Sequence, residues 1–127
     1  MPSRKPQGNG LVLALLRSPV HRLLSGMTIE LRYTGRRSGR QFTLPVQYAR
    51  EGNRLLVAVQ DPSKAWWRNF RTPQEVEVRL RGRLQQGTAH VVSPDDPAWD
   101  RDRGLYEARW KRFAGRVSGP LVQITLH

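Results

Sequence analysis

The sequence predicts an α+β domain in which about six mainly antiparallel strands form a closed or half-closed barrel. Three observations carry this prediction. Apolar and polar residues alternate in several short segments, which is the period of a half-buried strand. Turns of a few residues join most of these segments, and two other segments begin near a proline and have helical features. A barrel suits such strands because closure removes exposed sheet edges.

The length and composition indicate one domain without disulfides. The chain has 127 residues, which is enough for one hydrophobic core. It contains no cysteine, so disulfides and thiolate metal sites are excluded. The apolar run LVLALL at 11–16 is far too short to cross a bilayer, and no secretory signal is evident. We therefore expect a cytoplasmic protein.

Positive charge is concentrated in the first part of the chain. The net charge is +12, and the first 50 residues hold nine lysines and arginines against one acid, Glu30. This asymmetry indicates an anionic partner: a nucleic acid, an anionic lipid surface, or a phosphorylated or carboxylated ligand. The alternative is an arginine-rich surface without a partner.

The N-terminal region is expected to contain a mobile segment and a helix. Residues 1–10 are polar and include proline and glycine, so we expect them to be mobile. Apolar residues in Leu11–Arg17 have helical spacing, Pro19 interrupts the pattern, and a further helical turn would end near Gly26. The single folded domain then spans 11–127.

Three strands are predicted next. TIELRY, 28–33, alternates between apolar and polar residues, and the run 42–48 alternates again after an arginine-rich turn. Pro45 lies inside this second run, where a proline indicates an edge strand or a bulge. REGNR, 50–54, predicts a turn before a more fully buried third strand at Leu55–Val59.

Two helices are predicted between the later strands. In DPSKAWWRNFRT, 61–72, Asp61 is the expected N-cap and Pro62 the first helical residue. In the second helix Ser93 is the expected N-cap, and the helix continues to about Phe113. Strands are predicted at 76–80, 84–92 and 121–126, with a turn at RGR between the first two.

Side chains alone are not expected to carry out catalysis. The three histidines, His21, His90 and His127, have no second histidine or carboxylate at metal-ligand spacing. The sequence has neither a nucleophile elbow nor a Walker loop. An enzyme with this sequence would therefore rely on a cofactor for its chemistry.

The segment TGRRSGR, Thr34–Arg40, is the strongest candidate site, and we call it the arginine turn. Its two glycines permit tight curvature with exposed N–H groups, and its two hydroxyls and three arginines add further donors. Together these groups suit a phosphate or a carboxylate. A plain hairpin turn also uses glycine and serine, so both interpretations stand.

The segment KAWWRNF is the second candidate. Its adjacent tryptophans, Trp66 and Trp67, would point about 100° apart on a helix, so that one lines a cleft while the other enters the core. Lys64 and Arg68 are one helical turn apart and are placed to share an anion. The alternative is that both tryptophans simply fill the core.

The segment YEARWKRF, 106–113, is the third candidate. Tyr106, Trp110 and Phe113 recur at helical spacing, and basic residues cover much of the remaining surface. This stripe is either an aromatic lid over a planar ligand or the packed face of an ordinary helix.

The sequence disfavours nucleic acid as the partner. Tyr33, Phe42 and Tyr48 are few for a base-stacking surface, and their positions in the strands predict that they face the core. No recognition-helix or RNA-binding signature is present.

The motifs follow one another in a familiar order. LRYTGRRSGR, LPVQYAREGNRLLVAV and WWRNFRTPQEVEVRLRG occur in turn between 31 and 82. They contain Thr-Gly-Arg-basic-Ser-Gly, then a strand with proline and tyrosine, then Trp-x-x-Asn before a valine-rich strand. Over roughly 11–126 the chain resembles the deazaflavin-dependent nitroreductase family, whose members are also described as quinone reductases.

The resemblance implies a split β-barrel that binds the reduced deazaflavin coenzyme F420, which delivers a hydride to a quinone or another small acceptor. In the family, the arginine turn and the strand after it hold the phosphate and the carboxylate-rich tail. By position, the resemblance assigns coenzyme binding to Thr34, Gly35, Arg36, Arg37, Ser38, Arg40, Pro45, Lys64, Trp66 and Asn69. It assigns a substrate pocket to Tyr106 and Trp110.

The resemblance leaves alternatives for the cofactor and the function. Many members have a longer glycine-rich stretch where this chain has the compact loop Gln60–Lys64, and related barrels use flavin mononucleotide (FMN) or haem. FMN is therefore the alternative cofactor. A non-catalytic barrel that grips an anionic ligand, a lipid surface or nucleic acid is the alternative function. A homodimer is expected by resemblance, and the basic N-terminal third fits peripheral association with an anionic membrane.

Overall fold

The computed structural model describes residues 27–127. The strands are β1 (Thr28–Thr34), β2 (Gln41–Gln47), β3 (Ala49–Glu51), β4 (Arg54–Ala58), β5 (Gln74–Leu80), β6 (Arg83–Val92) and β7 (Leu121–Leu126). An α-helix, α1 (Trp99–Arg109), and two 3₁₀ helices, Trp66–Phe70 and Lys111–Phe113, accompany them. The segment 1–10 and the predicted helical turns from Leu11 to Gly26 lie outside the described residues.

The strands form one curled antiparallel sheet. Their order in the described chain is β2-β1-β5-β6-β7-β4-β3. β2 and β3 lie at opposite ends of this order, yet only Tyr48 separates them in the chain. The sheet must therefore curl until its two ends approach each other at Tyr48, which gives a half-barrel. The predicted α+β barrel is confirmed.

The position of Pro45 follows from its missing N–H group. β2 is an edge strand, and Pro45 lies opposite Glu30 of β1, its neighbour in the sheet. The predicted edge location is therefore confirmed. The predicted turn at 50–54 is too long, because β3 extends to Glu51 and β4 begins at Arg54. Gly52, with a φ of 60°, adopts the left-handed conformation that such a tight hairpin requires.

The concave face of the sheet holds the main core. Ile29, Leu31, Val78 and Ile124 come from three strands and are fully buried. Burying an aliphatic side chain of this size stabilises the fold by roughly 1.5–3 kcal/mol. Phe70 joins the same cluster from the first 3₁₀ helix and is also fully buried, which fixes that helix to the barrel.

A second apolar cluster fixes α1 to the opposite face of the sheet. It contains Ala49, Ala58, Val92, Tyr106, Trp110 and Leu121. The indole N–H of Trp110 donates to the carbonyl of Tyr48 at 2.8 Å. The C-terminal end of α1 is thereby joined to the point where β2 passes into β3.

The first predicted helix is shorter than expected, and its predicted N-cap is wrong. The chain forms a 3₁₀ helix at Trp66–Phe70 that has no side-chain cap. Asp61 instead accepts hydrogen bonds from the N–H and the hydroxyl of Ser63, at 3.1 and 2.6 Å. Such local bonds compete with a helical start. The indole N–H of Trp67 donates to the Pro62 carbonyl at 3.1 Å and keeps this loop folded.

The second predicted helix is also shorter, and Ser93 is not its N-cap. α1 begins at Trp99, because Pro97 disfavours a helical conformation at Asp96. The Asp96 carboxylate instead accepts a main-chain N–H two residues further on, at 2.8 Å. α1 ends at Arg109, and a separate 3₁₀ helix follows.

Candidate functional site

The arginine turn closes on its own backbone. The Gly35 N–H donates to the Arg40 carbonyl at 2.8 Å, and the Gly39 N–H donates to the Gly35 carbonyl at 2.9 Å. The Ser38 hydroxyl accepts the Arg40 N–H at 3.2 Å. Gly39 has a φ of 71°, which glycine tolerates best. A Cβ on Gly35 would lie 2.8 Å from the Phe42 ring, so the turn also favours glycine there.

Two successive N–H groups of the turn are open. The expectation that the glycines expose their N–H groups is wrong, because the turn uses both of them internally. The N–H groups of Arg37 and Ser38 have no partner in the described part of the chain, and both residues are exposed. Adjacent free N–H groups in a turn can bind an anion. The available donors therefore lie between the two glycines.

Arg36 fastens the arginine turn to the first 3₁₀ helix. Its N–H donates to the side-chain oxygen of Asn69 at 2.8 Å. Its guanidinium donates to the carbonyls of Asn69 and Thr72, at 2.6 and 2.8 Å. Asn69 also donates from its side-chain nitrogen to the Trp66 carbonyl at 2.8 Å. Arg36 and Asn69 thus join the turn to the helix.

A cleft of about 590 Å³, which we call the turn cleft, lies between the arginine turn and the first 3₁₀ helix. The rings of Tyr33 and Phe42 stack with centroids 5.5 Å apart, and the half-buried Trp66 adds a third ring. The Tyr33 phenol is uncharged at neutral pH even with its ordinary pKa of 10, and burial raises that pKa to about 12. The lining comprises Tyr33, Gly35, Arg36, Arg37, Ser38, Phe42, Ala65, Trp66, Arg68, Asn69 and Arg71.

Positive charge surrounds the turn cleft. None of the described residues that line it is acidic. Arg37 is exposed and has no ion pair within the described residues. Arg68 and Arg71 each hold a guanidinium 5.4 Å from the centroid of the Trp67 ring. The cleft therefore offers several cations to an anionic ligand.

Thr34 and Arg40 stand at the two ends of the turn, outside the walls of the cleft. The Thr34 carbonyl accepts a hydrogen bond from the Gln74 side chain at 2.6 Å, which ties the start of the turn to β5. Arg40 is exposed, and its guanidinium has no ion pair in the part of the chain that the structure describes. Its charge adds to that of Arg37.

Two further cavities continue the turn cleft toward α1. A middle cavity of about 260 Å³ shares Trp66 with the turn cleft and is also lined by Pro45 and Lys64. An α1 cavity of about 330 Å³ shares Gln60 with the middle cavity and is bounded by Tyr106. Because neighbouring spaces share lining residues, the three cavities lie side by side in a row. We call this row of cavities the groove.

Tyr106 is the buried polar residue of the α1 cavity. It is 1% exposed, and no described residue completes a hydrogen bond to its hydroxyl. Burial raises the pKa of its phenol, while the nearby Gln60 side chain and the Arg112 guanidinium act against this rise. The hydroxyl is therefore protonated at neutral pH, and the Gln60 side chain, which also lines the cavity, is its nearest polar neighbour.

Trp110, predicted beside Tyr106 in a substrate pocket, lies outside the walls of the α1 cavity. It is buried in the second apolar cluster, and the Arg109 guanidinium covers its ring at 3.9 Å from the centroid. Phe113 does line the cavity, with its ring centroid 6.3 Å from that of Tyr106. The predicted stripe is divided because α1 ends at Arg109.

The loop that walls the α1 cavity was not predicted as part of a site. Arg116, Val117, Ser118 and Gly119 line the cavity from this loop. In the sequence these residues form a short connection between a predicted helix and a predicted strand, with no recognisable motif. The available signal was a short polar loop next to an aromatic stripe, since functional residues concentrate on loops held by a rigid scaffold.

Metal sites and membrane-spanning helices are absent from the described part of the chain. No group of histidine, aspartate and glutamate there is arranged to hold a metal ion. None of its helices has the length and apolar character that crossing a membrane requires.

Solved structures share the fold. A structure of an F420-H2 dependent reductase (FDR-A) is 15% identical, with a TM-score of 0.63 over 76% of this chain and 92% of that chain. A structure described as a domain-swapped dimer is 14% identical, with a TM-score of 0.63 over 88% and 98%. A FAD-binding protein from Mesorhizobium loti is 16% identical, with a TM-score of 0.53 over 87% and 90%. At these identities the likeness concerns the fold alone.

Sequence similarity identifies the family. No curated protein shows significant similarity to this chain. The model of the family described as F420H(2)-dependent quinone reductase, however, matches residues 16–126, nearly the whole length. This match confirms the resemblance that the motifs indicate. The chain belongs to the F420H(2)-dependent quinone reductase family.

Proposed function

We propose that the protein binds reduced coenzyme F420 in the groove and uses it to reduce a quinone or a similar small acceptor. The observation that carries this proposal is the row of three adjacent cavities, which runs from a cationic end at Arg37 to an aromatic cavity at Tyr106. A coenzyme with an acidic tail and a planar ring needs these two surroundings within one site. Family membership supports the choice of coenzyme.

The arginine turn fits the acidic part of the coenzyme. The open N–H groups of Arg37 and Ser38 are backbone donors, and the guanidiniums of Arg37 and Arg40 are forked cationic donors. The guanidinium of Arg36 already serves main-chain carbonyls. We therefore assign the direct anion contacts to Arg37 and Ser38, a longer-range electrostatic attraction to Arg40, and the placement of the turn to Arg36 and Asn69.

Trp66 and the compact loop fit the middle of the coenzyme. Trp66 lines both the turn cleft and the middle cavity, so it offers an aromatic wall to a ligand in either space. Lys64 is exposed at the middle cavity and offers one cation, beside the Asp61 carboxylate that lines the same cavity. In this chain Lys64 would serve in place of the longer glycine-rich loop.

Tyr106 fits the carbonyl group of an acceptor at the far end of the groove. Reduction of a quinone to a hydroquinone takes one hydride and one proton, and the bound reduced deazaflavin supplies the hydride. The protonated hydroxyl of Tyr106 is buried, so a rearrangement of the cavity wall on acceptor binding would let it donate a hydrogen bond to the oxygen on which negative charge develops. Phe113 and the apolar part of the lining limit the access of water to this oxygen.

Titration with the oxidised coenzyme, followed by its fluorescence, tests the binding step. We expect saturable binding, and we expect Arg37→Gln to weaken it about tenfold. The matched control is Arg83→Gln, which removes another exposed arginine. The arginine turn contacts β5 at Gln74, and Arg83 lies at the other end of that strand pair, about 20 Å from Gln74 along the strands. Equal losses would indicate diffuse electrostatic attraction and overturn the assigned site. Absence of saturable binding would overturn the proposed function.

Two further measurements separate the alternatives. FMN should bind more weakly than the deazaflavin coenzyme, and tighter binding of FMN would replace the proposed cofactor. Menadione, a simple naphthoquinone, should reoxidise the reduced coenzyme when a small, substoichiometric amount of the protein is added, and should not do so without the protein. Binding of the coenzyme without such turnover would favour the non-catalytic barrel.

A homodimer, a cytoplasmic location and peripheral contact with anionic membranes stay predictions. A structural relative described as a domain-swapped dimer supports the first. The basic N-terminal third supports the last, since anionic lipid surfaces attract clustered lysines and arginines. Light scattering and co-sedimentation with anionic vesicles are the measurements that check the dimer and the membrane contact.

A further inference from the structure

Glu107 is the acidic residue of α1 that contacts the loop walling the α1 cavity. Its two carboxylate oxygens accept the N–H groups of Gly115 and Val117, at 3.0 and 3.1 Å. Arg103, one turn earlier on α1, donates to the same carboxylate at 3.1 Å. The Glu107 side chain is only 11% exposed, so these bonds satisfy a nearly buried charge.

The loop held in this way depends on α1 at both ends. Residues 116–119 line the cavity and have no sheet pairing of their own. Glu107 fixes the near end of the loop, and the indole N–H of Trp99 fixes the far end by donating to the Gly119 carbonyl at 3.0 Å. Gly115 has a φ of 72°, which lets the chain reverse direction just before the wall begins.

We propose that Glu107 is a positioning residue for the electron acceptor. By holding Gly115 and Val117 it keeps the loop in place beside Tyr106 and sets the shape of the α1 cavity. The inference rests on the proposed function, because it takes this cavity as the acceptor's end of the groove. The arginine turn lies at the other end, so the affinity for the coenzyme should not depend on Glu107.

Three variants test the proposal. Glu107→Ala removes both loop bonds, and Glu107→Gln keeps one acceptor oxygen. Asp100→Ala is the matched control, since it removes a carboxylate from the same helix that also pairs with Arg103, at 3.6 Å. We expect the KM for menadione to rise about tenfold in Glu107→Ala and less in Glu107→Gln. The kcat should change much less, and the coenzyme dissociation constant should be unchanged.

Amide hydrogen exchange gives a readout that does not require activity. The amides of Gly115 and Val117 should lose protection in Glu107→Ala and keep it in Asp100→Ala. If Glu107→Ala does not fold, Glu107→Gln decides the question by the same comparison with Asp100→Ala.

Two outcomes would overturn the inference while leaving the proposed function intact. One is an active Glu107→Ala whose KM rises no more than that of Asp100→Ala, and the other is an equal loss of affinity for coenzyme and acceptor. Failure of the proposed function would instead appear in the wild-type protein, as absent coenzyme binding or absent turnover. That result would overturn the inference as well.

Discussion

Arg36 and Asn69 are joined by two hydrogen bonds. The Arg36 N–H donates to the Asn69 side-chain oxygen at 2.8 Å, and the Arg36 guanidinium donates to the Asn69 carbonyl at 2.6 Å. The two residues are 33 positions apart, so the pair connects the arginine turn to the tryptophan segment. Both segments line the turn cleft. The relative position of its two walls therefore depends on this pair.

Replacing Asn69 by alanine should loosen the turn cleft. The change removes the acceptor of the Arg36 N–H and the donor to the Trp66 carbonyl. Leaving such groups unpaired lowers the free energy of unfolding by about 1–2 kcal/mol. Urea unfolding should show this loss, and coenzyme titration should show weaker binding. Asn69→Asp keeps the oxygen that accepts the Arg36 N–H, so its stability and coenzyme affinity should fall between those of the wild type and Asn69→Ala. Unchanged coenzyme affinity in Asn69→Ala would show that the turn stays in place without the pair.

Asp102 of α1 is a fully buried carboxylate that Arg54 of β4 pairs at 2.7 Å. Arg54 also pairs with Glu51 of β3 at 2.8 Å, and Arg101 of α1 pairs with the same Glu51 at 2.8 Å. These four charged residues join α1 to the β3–β4 hairpin. Their arrangement fixes α1, which contains Tyr106 and holds the loop 116–119 in place.

Arg54→Met should destabilise the protein strongly, by about 3–5 kcal/mol, because it leaves the buried carboxylate of Asp102 without its main partner. Adding Asp102→Leu should restore much of this loss, since an apolar pair then replaces the ionic one. Arg101→Met is the control and should cost less than about 1 kcal/mol, because Arg101 is well exposed. Urea unfolding measures all three, and a small effect of Arg54→Met would refute the assigned partnership.

The fold could be predicted from the sequence where the signal is local. The alternation of apolar and polar residues predicts β1, and the missing N–H of Pro45 predicts an edge strand; both predictions are confirmed. The helix starts failed at Asp61 and Ser93 because a competing side-chain bond and a downstream proline override the usual capping preference. Such competition is decided by energies of about 1 kcal/mol, which a pattern does not resolve.

The sequence predicts which residues belong to the candidate site, but it does not predict the contacts that each of them makes. The arginine turn and Trp66 line the same cleft, as the motifs indicate. That the Arg36 guanidinium serves main-chain carbonyls depends on the backbone of Asn69 and Thr72, 33 or more positions later in the chain. The burial of the Tyr106 hydroxyl and the wall formed by 116–119 depend on how α1 packs on the sheet. No local pattern contains that information.

Two glycines should respond oppositely to the same substitution. A Cβ on Gly87 would lie 2.9 Å from the carbonyl oxygen of Thr125 on the neighbouring strand, where the backbone cannot easily move. Gly87→Ala should therefore destabilise the protein by about 1–3 kcal/mol. Gly104 lies in α1 with open space around its Cβ position, so Gly104→Ala should stabilise the protein by about 0.5–1 kcal/mol. Thermal unfolding distinguishes the two, and effects of the same sign would contradict this packing.

Acid should weaken the protein partly through Glu107. The N–H of Gly115 is the main cause that lowers the pKa of this carboxyl below its ordinary value of 4.5; Val117 and Arg103 add to the effect, while burial opposes it. Because the folded pKa is the lower one, the contribution of Glu107 to stability is present above about pH 4.5 and is lost as the pH falls through the folded pKa. Glu107→Gln should therefore be less stable than wild type near neutral pH, and the difference should shrink in acid. Urea unfolding from about pH 7 to pH 3 measures this difference; a constant value would show that the ionised carboxylate is not what holds the loop.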